Sequence, residues 1–134
     1  MKAPLFTDTI TLYNHYREGR TDRWKRTVLH GVQWTQKTVR TASNNGSVVV
    51  TTETNITIPD RDGYAKPLDF AQAADKSGLW TLAPDDLVLL GESIVEVVNE
   101  VTTDDLCTLG VVTVRSVEDN TLRPRLKHWK VVAI

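Results

Sequence analysis

Cysteine is nearly absent from this chain. Its 134 residues include one, Cys107, which excludes an internal disulfide and any zinc site built from several thiolates. Long apolar runs are missing as well. The apolar stretches are short and interrupted, far below the roughly 20 consecutive residues of a membrane-spanning helix. Nor does one sign of charge prevail: 16 basic residues stand against 17 acidic ones, a formal net charge of −1. The basic excess or stripe of a dedicated duplex-DNA binder is therefore lacking, although DNA merely passing such a surface is compatible with it. The segment Met1-Lys2-Ala3-Pro4-Leu5-Phe6 has no apolar stretch of the secretory-signal kind, so synthesis in a reducing, intracellular compartment is expected.

Chemistry-bearing motifs are equally scarce. The sequence has no Gly-rich phosphate loop, serine elbow or zinc signature. His15, His30 and His128 are far apart, and none has a second ligand at helical or hairpin spacing. His30 is expected to be a hydrogen-bonded, partly buried structural histidine, and His128 to have a similar role. Cys107 has no adjacent His, Lys or Arg to lower its pKa and reads as a small buried hydrophobe. Asp60-Arg61-Asp62-Gly63 starts like a calcium loop, but the closing Glu is missing, so a solvated turn is expected. Asp85-Asp86 and Asp104-Asp105 are neighbours on turns, and neither makes an acid/base dyad. No catalytic residue, metal ligand or cofactor is expected.

What the chain does have is alternation. Hydrophobic residues at 40% and charged residues at 25% describe a soluble globular chain of single-domain size. Ile10 and Leu12 alternate with Thr9, Thr11 and Tyr13, giving a first strand. From Trp24 to Trp34 the even positions Trp24, Val28, Val32 and Trp34 are expected on one face, with Leu29 as the exception; Gly31 predicts a bulge or a close backbone approach. Asn44-Asn45-Gly46 is a hairpin turn signal. After it Val48, Val50, Ile56 and Ile58 share one face, while Thr51, Glu53, Asn55 and Thr57 share the other. A strand from Val48 to Ile58 would extend about 35 Å, long enough for part of the hairpin to project beyond the core.

Pro67 to Lys76 reads as a short helix with Asp69 as N-cap, Phe70, Ala73 and Ala74 as its apolar stripe, and Gly78 just past its end. Strands are expected at Leu79–Leu82, Leu87–Gly91 and Ile94–Val98, with one helical turn capped at Thr103–Leu106. Val111–Val117 and Leu126–Ile134 close the chain as a hairpin. Termini fray unless tied down, so the Trp-bearing final strand is expected to be paired, buried or held by a partner. Trp129, Val131 and Ala133 then share one face; His128, Lys130 and Val132 share a mixed one, which makes this strand a candidate docking edge. The fold class is mainly β: an antiparallel β-barrel or sandwich with one short helix in an insertion. It forms one domain over residues 1–134, with a projecting hairpin near 44–58 and an insertion near 60–78.

Two basic clusters stand out. Arg17, Arg20, Arg23, Lys25 and Arg26 surround Trp24, and Arg123, Arg125 and Lys127 precede the last strand. Glu18 and Asp22 interrupt the first, which reads as a solvated face; the second suits the rim of a contact with an acidic partner. Hairpin and insertion exceed what core closure needs. The candidate assembly-interface residues are Asn44, Asn45, Gly46, Thr51, Glu53, Tyr64 and Phe70, with Arg123, Arg125, His128 and Lys130 near the terminal strand.

Four pieces occur in a familiar order. They are Ile10-Thr11-Leu12-Tyr13-Asn14 with Tyr16; Trp24-Lys25-Arg26-Thr27-Val28-Leu29-His30-Gly31-Val32-Gln33-Trp34; Trp80-Thr81-Leu82 leading to Leu87-Val88-Leu89-Leu90-Gly91; and Leu126-Lys127-His128-Trp129-Lys130-Val131. Together they resemble a family of small proteins from the structural gene cassette of tailed phages and prophages. More broadly, they are similar to head-tail connector, head-closure (stopper) and minor capsid proteins of the neck. Relatives tend to carry a Gly-Asp pair where this chain has Asp85-Asp86, so its turn is built without glycine's freedom. The resemblance implies a non-enzymatic β-barrel subunit of a homo-oligomeric ring in the virion neck, made in the bacterial host cytoplasm. Its partners would be the portal-side adaptor, tail proteins and packaged double-stranded DNA passing through the lumen without sequence specificity. A tail-completion or tail-terminator protein is the alternative within that class. A single-stranded nucleic-acid-binding β-barrel, stacking bases on its tryptophans, is the alternative outside it.

Overall fold

The computed structural model describes residues 6–93 and 110–134. Six strands, β1 (Asp8–Glu18), β2 (Thr21–Ala42), β3 (Val48–Pro59), β4 (Leu87–Leu90), β5 (Val112–Asp119) and β6 (His128–Ala133), close into a barrel in the order β1-β2-β3-β6-β5-β4. Every neighbouring pair is antiparallel. The expected fold class is thus realised in its barrel form, where closure pairs the edges an open sheet would expose. The seam between β4 and β5 is narrow, with Leu87 opposite Thr113 and Val88 opposite Val112. The strand expected at Ile94–Val98, the turn at Thr103–Leu106 and Cys107 lie outside the described residues.

The bulge expected at Gly31 is present and decides which face of β2 is core. Asp8 pairs with Val32 and Thr9 with His30, leaving Gly31 as the extra residue at φ 74°. An extra residue reverses the inward–outward alternation. Leu29 before the bulge and Val32 after it therefore both enter the main core, joined by Trp34. Trp24 instead packs outside, against Tyr13 and Leu87. The single even-numbered face expected from Trp24 to Trp34 is corrected accordingly, and Leu29 ceases to be an exception. His30 is exposed rather than partly buried, with Nδ1 3.1 Å from Thr9 Oγ1.

Arg61 pins this bulge. Its Nη1 donates to His30 O and its Nη2 to Gly31 O (3.1 Å), while Nε donates to Pro59 O (3.2 Å). The segment expected to be a solvated turn thus carries a half-buried clamp, and burial lowers the pKa of its guanidinium.

Inside the barrel, Ile10, Leu12, Leu29, Val32, Ile56, Ile58, Val88, Val114 and Val131 form the core with Trp80, Leu82 and Trp129. Leu79–Leu82 is not a strand; Trp80 makes only an isolated parallel bridge to Tyr64. The reason is local. The Asn14 side chain takes the place of a neighbouring strand, its Nδ2 donating to Thr81 O (2.7 Å) and its Oδ1 accepting from Thr81 N (3.1 Å). Both backbone groups of a buried residue are satisfied without a ladder. The outer face of β1 is also covered: Tyr13 Oη donates to Ser93 Oγ (3.0 Å), and Thr11 Oγ1 donates to Gly91 O (2.7 Å).

The helix, α1, spans Pro67–Gln72 and is shorter than the expected Pro67–Lys76. Lys66 rather than Asp69 is its N-cap, and Ala73 already has extended backbone (ψ 128°). Pro67 at the helix start fits, because its missing N–H would be unpaired there anyway. Of the expected stripe, Phe70 is 1% exposed and meets Tyr16 edge-on at 6.1 Å; Ala74 is exposed.

Candidate functional site

Where the barrel ends, β2 and β3 continue. Pairing of β1 with β2 stops at Val32, and pairing of β6 with β3 stops at Thr54. Lys37–Ala42 and Val48–Glu53 pair only with each other among the described residues, in the register Lys37–Glu53 to Ala42–Val48. Each arm extends about 20 Å at roughly 3.3 Å per residue. The tip is closed by Asn44-Asn45-Gly46, with Ser43 N donating to Ser47 O (2.8 Å) and Gly46 N to Ser43 O (3.1 Å). Gly46 stands at φ 87°, where an L-residue would be strained.

This ribbon is apolar where it should be polar. On β3 the even positions Thr54, Ile56 and Ile58 point into the core, but beyond the barrel Val48, Val49 and Val50 are each more than half exposed. Sequence patterning placed Val48 and Val50 correctly on the core-side face; it could not show that no core lies beneath them. The available signal was length, since the strand is longer than the barrel it lines. Lys37 and Glu53 face one another across the ribbon, Nζ to Oε1 3.8 Å.

The structure distributes the other candidate residues. Asn44, Asn45 and Gly46 are exposed at the tip, and Thr51 and Glu53 are half-buried on the ribbon. Tyr64 turns inward: its ring lies 4.6 Å from Trp129 and 5.3 Å from Trp80, and burial raises its pKa, aided by nearby Asp119. Phe70 is withdrawn beneath α1 and offers no free face, whereas Tyr64 is half-buried. Arg123, Arg125, His128 and Lys130 lie in or just after the β5–β6 connection, at the opposite end of β3 and β6 from the ribbon, because Pro59 pairs with His128 and Thr54 with Ala133. Arg123 Nε donates to Asn120 Oδ1 (3.1 Å). Leu122 and Leu126 on the same connection are 96% and 85% exposed, which no periodicity in this turn-rich segment signals.

The final strand has the expected faces, with Trp129, Val131 and Ala133 buried and Lys130 exposed. It is not an edge, however. It pairs with β5 on one side and β3 on the other, so the expected docking edge is replaced by a strand in the barrel wall.

A groove of about 450 Å³ is lined by His15, Trp24, Ala83, Pro84, Asp85 and Asp86. Asp85 has φ 76°, the conformation glycine would take most easily. Asp86 is 3% exposed, and its two oxygens accept from Asn14 Nδ2 (2.8 Å), His15 N (3.1 Å) and Ala83 N (3.2 Å). Burial pushes its pKa up to about 6 against the opposing pull of these donors. This carboxylate fastens the turn to β1. His15 Nε2 lies 2.9 Å from Asp22 Oδ1, and hydrogen bonds from His15 and Arg17 hold the Asp22 carboxyl below its usual range. Among the described residues, no three His, Cys, Asp or Glu side chains are grouped to hold a metal ion.

No curated protein and no solved structure matches the chain. Over residues 5–134 it matches, and therefore belongs to, a family of unknown function (DUF6751).

Proposed function

We propose that this protein is a structural subunit of a tailed-phage neck, forming a head-tail connector or head-closure ring through which DNA passes. The observation that carries the proposal is the β2–β3 ribbon. A closed barrel completes its own hydrogen bonding, yet this one extends two strands about 20 Å beyond its wall and exposes Val48, Val49 and Val50 there. An exposed apolar segment of this kind has the character of a surface covered on assembly. The balance of 16 basic against 17 acidic residues suits a lumen that lets DNA through, since a strongly basic one would retain it.

Trp80 and Trp129 are almost wholly buried and offer no face to a nucleobase, which weighs against the single-stranded nucleic-acid reading. The test is genetic and structural. A phage lacking this chain should accumulate filled heads and separate tails, and electron microscopy of intact necks should show a ring that fits the barrel and its ribbon. Normal heads with tails of irregular length would point to a tail terminator instead. Fully infectious particles lacking the chain would end the proposal.

A further inference from the structure

The ribbon has two edges, and they differ. Along β2, Gln33–Ala42 carries Lys37 and Arg40 and no carboxylate; along β3, Val48–Glu53 carries Glu53 and no cation. Beyond Val32 and Thr54 neither outer edge is paired with a strand among the described residues. The first N–H past the barrel on the β2 side, Trp34 N, is taken by Asp8 Oδ2 at 2.9 Å, and no corresponding backbone cap occurs from Lys37 to Ala42 among the described residues. Glycine and proline are absent from both arms, and Val48-Val49-Val50-Thr51-Thr52 is an uninterrupted β-branched run. Such an edge is a template for another strand.

We infer that the occupant is a second copy of this chain: the β3 edge of one ribbon pairs with the β2 edge of its neighbour's, continuing the sheet from subunit to subunit. Three features favour this pairing over others. First, charge selects it. Two β2 edges would oppose Lys37 and Arg40 to the same cations, whereas β3 against β2 at equal height brings Glu53 beside the next copy's Lys37 on the same face. Second, direction allows it. Within a ribbon β2 runs toward the tip and β3 returns, so copies related by rotation about one axis bring β3 beside the next copy's β2 in antiparallel sense. Third, the contact is heterologous and leaves one donor and one acceptor edge on every growing assembly, which is the condition for closing a ring. The exposed valines would then form part of a continuous sheet rather than a solvated hairpin.

This pairing rests on the ring reading above, and native mass spectrometry of the full chain separates the two. The wild-type chain should give a closed oligomer. Val50→Lys places a charge on the ribbon and should reduce the mass to the 15.0 kDa of one chain, with the far-UV circular dichroism of the barrel unchanged and its melting temperature equal to that of the wild-type chain at concentrations too low for assembly. Glu53→Lys alone, or Lys37→Glu with Arg40→Glu, should also give monomer. An equal mixture of the two charge-reversed variants should recover the assembly, because each reversed edge then meets its complement on the neighbouring subunit while the Lys37–Glu53 pair within every ribbon stays broken, an outcome that repair of the hairpin alone would not give. A ring that survives Val50→Lys and both charge reversals overturns the edge pairing while leaving the ring. A wild-type chain that remains monomeric at every concentration overturns both.

Discussion

Asp85 sits in a left-handed turn, φ 76°, where a Cβ brings steric cost and glycine brings none. Asp85→Gly should therefore raise stability by up to about 1 kcal/mol, part of the relief being offset by glycine's greater freedom when unfolded. A lower urea midpoint for the variant would contradict this. Its neighbour Asp86 makes stability depend on pH in the direction opposite to that of most carboxylates. Its pKa in the folded chain is raised to about 6 from an ordinary value near 4, so folding favours the protonated form. The stability it contributes is complete below the unfolded pKa and is lost as pH rises through about 6. Two pKa units correspond to about 3 kcal/mol. The melting temperature should climb between pH 7 and pH 5, and Asp86→Asn should flatten that slope even though the asparagine accepts fewer hydrogen bonds. Below pH 4 the carboxylates with lowered pKa values, Asp22, Asp75 and Asp119, act in the reverse sense.

Strands β3 and β6 illustrate two different uses of the same periodicity. In β6, Val131 and Ala133 are fully buried, and the strand is hydrogen-bonded on both sides. Deleting Val131–Ile134 should open the barrel and abolish the cooperative melt, because two adjacent strands lose their partner at once. In β3 the segment Val48–Glu53 has no core beneath it. At concentrations too low for assembly, replacing Arg40–Val50 with a short turn should leave the melting temperature within a few degrees of wild type, since surface changes typically alter stability by no more than about 0.5 kcal/mol. A large loss would show that the ribbon folds back on the barrel. The alternation of these strands was legible in the sequence, as were the turn at Asn44-Asn45-Gly46 and the bulge at Gly31. The consequence of the bulge was not, because assigning Leu29 and Trp24 to faces requires knowing that Gly31 has no residue opposite it on β1. Leu79–Leu82 misled for a related reason: a buried apolar run reads as a strand unless a side chain, here Asn14, supplies its hydrogen bonds.

For the whole molecule, the closed barrel holds the core, while the projecting ribbon leaves Val48, Val49 and Val50 exposed. Aromatic residues hold one end, with Trp80 and Trp129 meeting edge-to-face at 5.2 Å and Tyr64 across both. Such pairs add roughly 0.5–1.5 kcal/mol beyond the area they bury. The ribbon adds little to the fold and most to a surface. If copies associate through it, the apparent stability of the assembled chain should rise with protein concentration by mass action. Melting curves recorded over a hundredfold range of concentration should therefore shift upward, and Val50→Lys should remove the shift. A wild-type midpoint independent of concentration would count against self-association.

The sequence by itself determined the class of fold, the turns, the terminal strand pairing and the excess length of the β2–β3 hairpin, because period-two alternation and turn chemistry are local. Closure of the barrel, the reversal of faces at Gly31, the replacement of a strand by Asn14, the packing of Tyr64 against Trp80 and Trp129 and the burial of Phe70 were decided only by tertiary structure. Each depends on what lies opposite a residue in space. The final strand shows the difference most directly: its pattern announced that Trp129, Val131 and Ala133 would be buried, but β3 on its far side turned an expected edge into a wall.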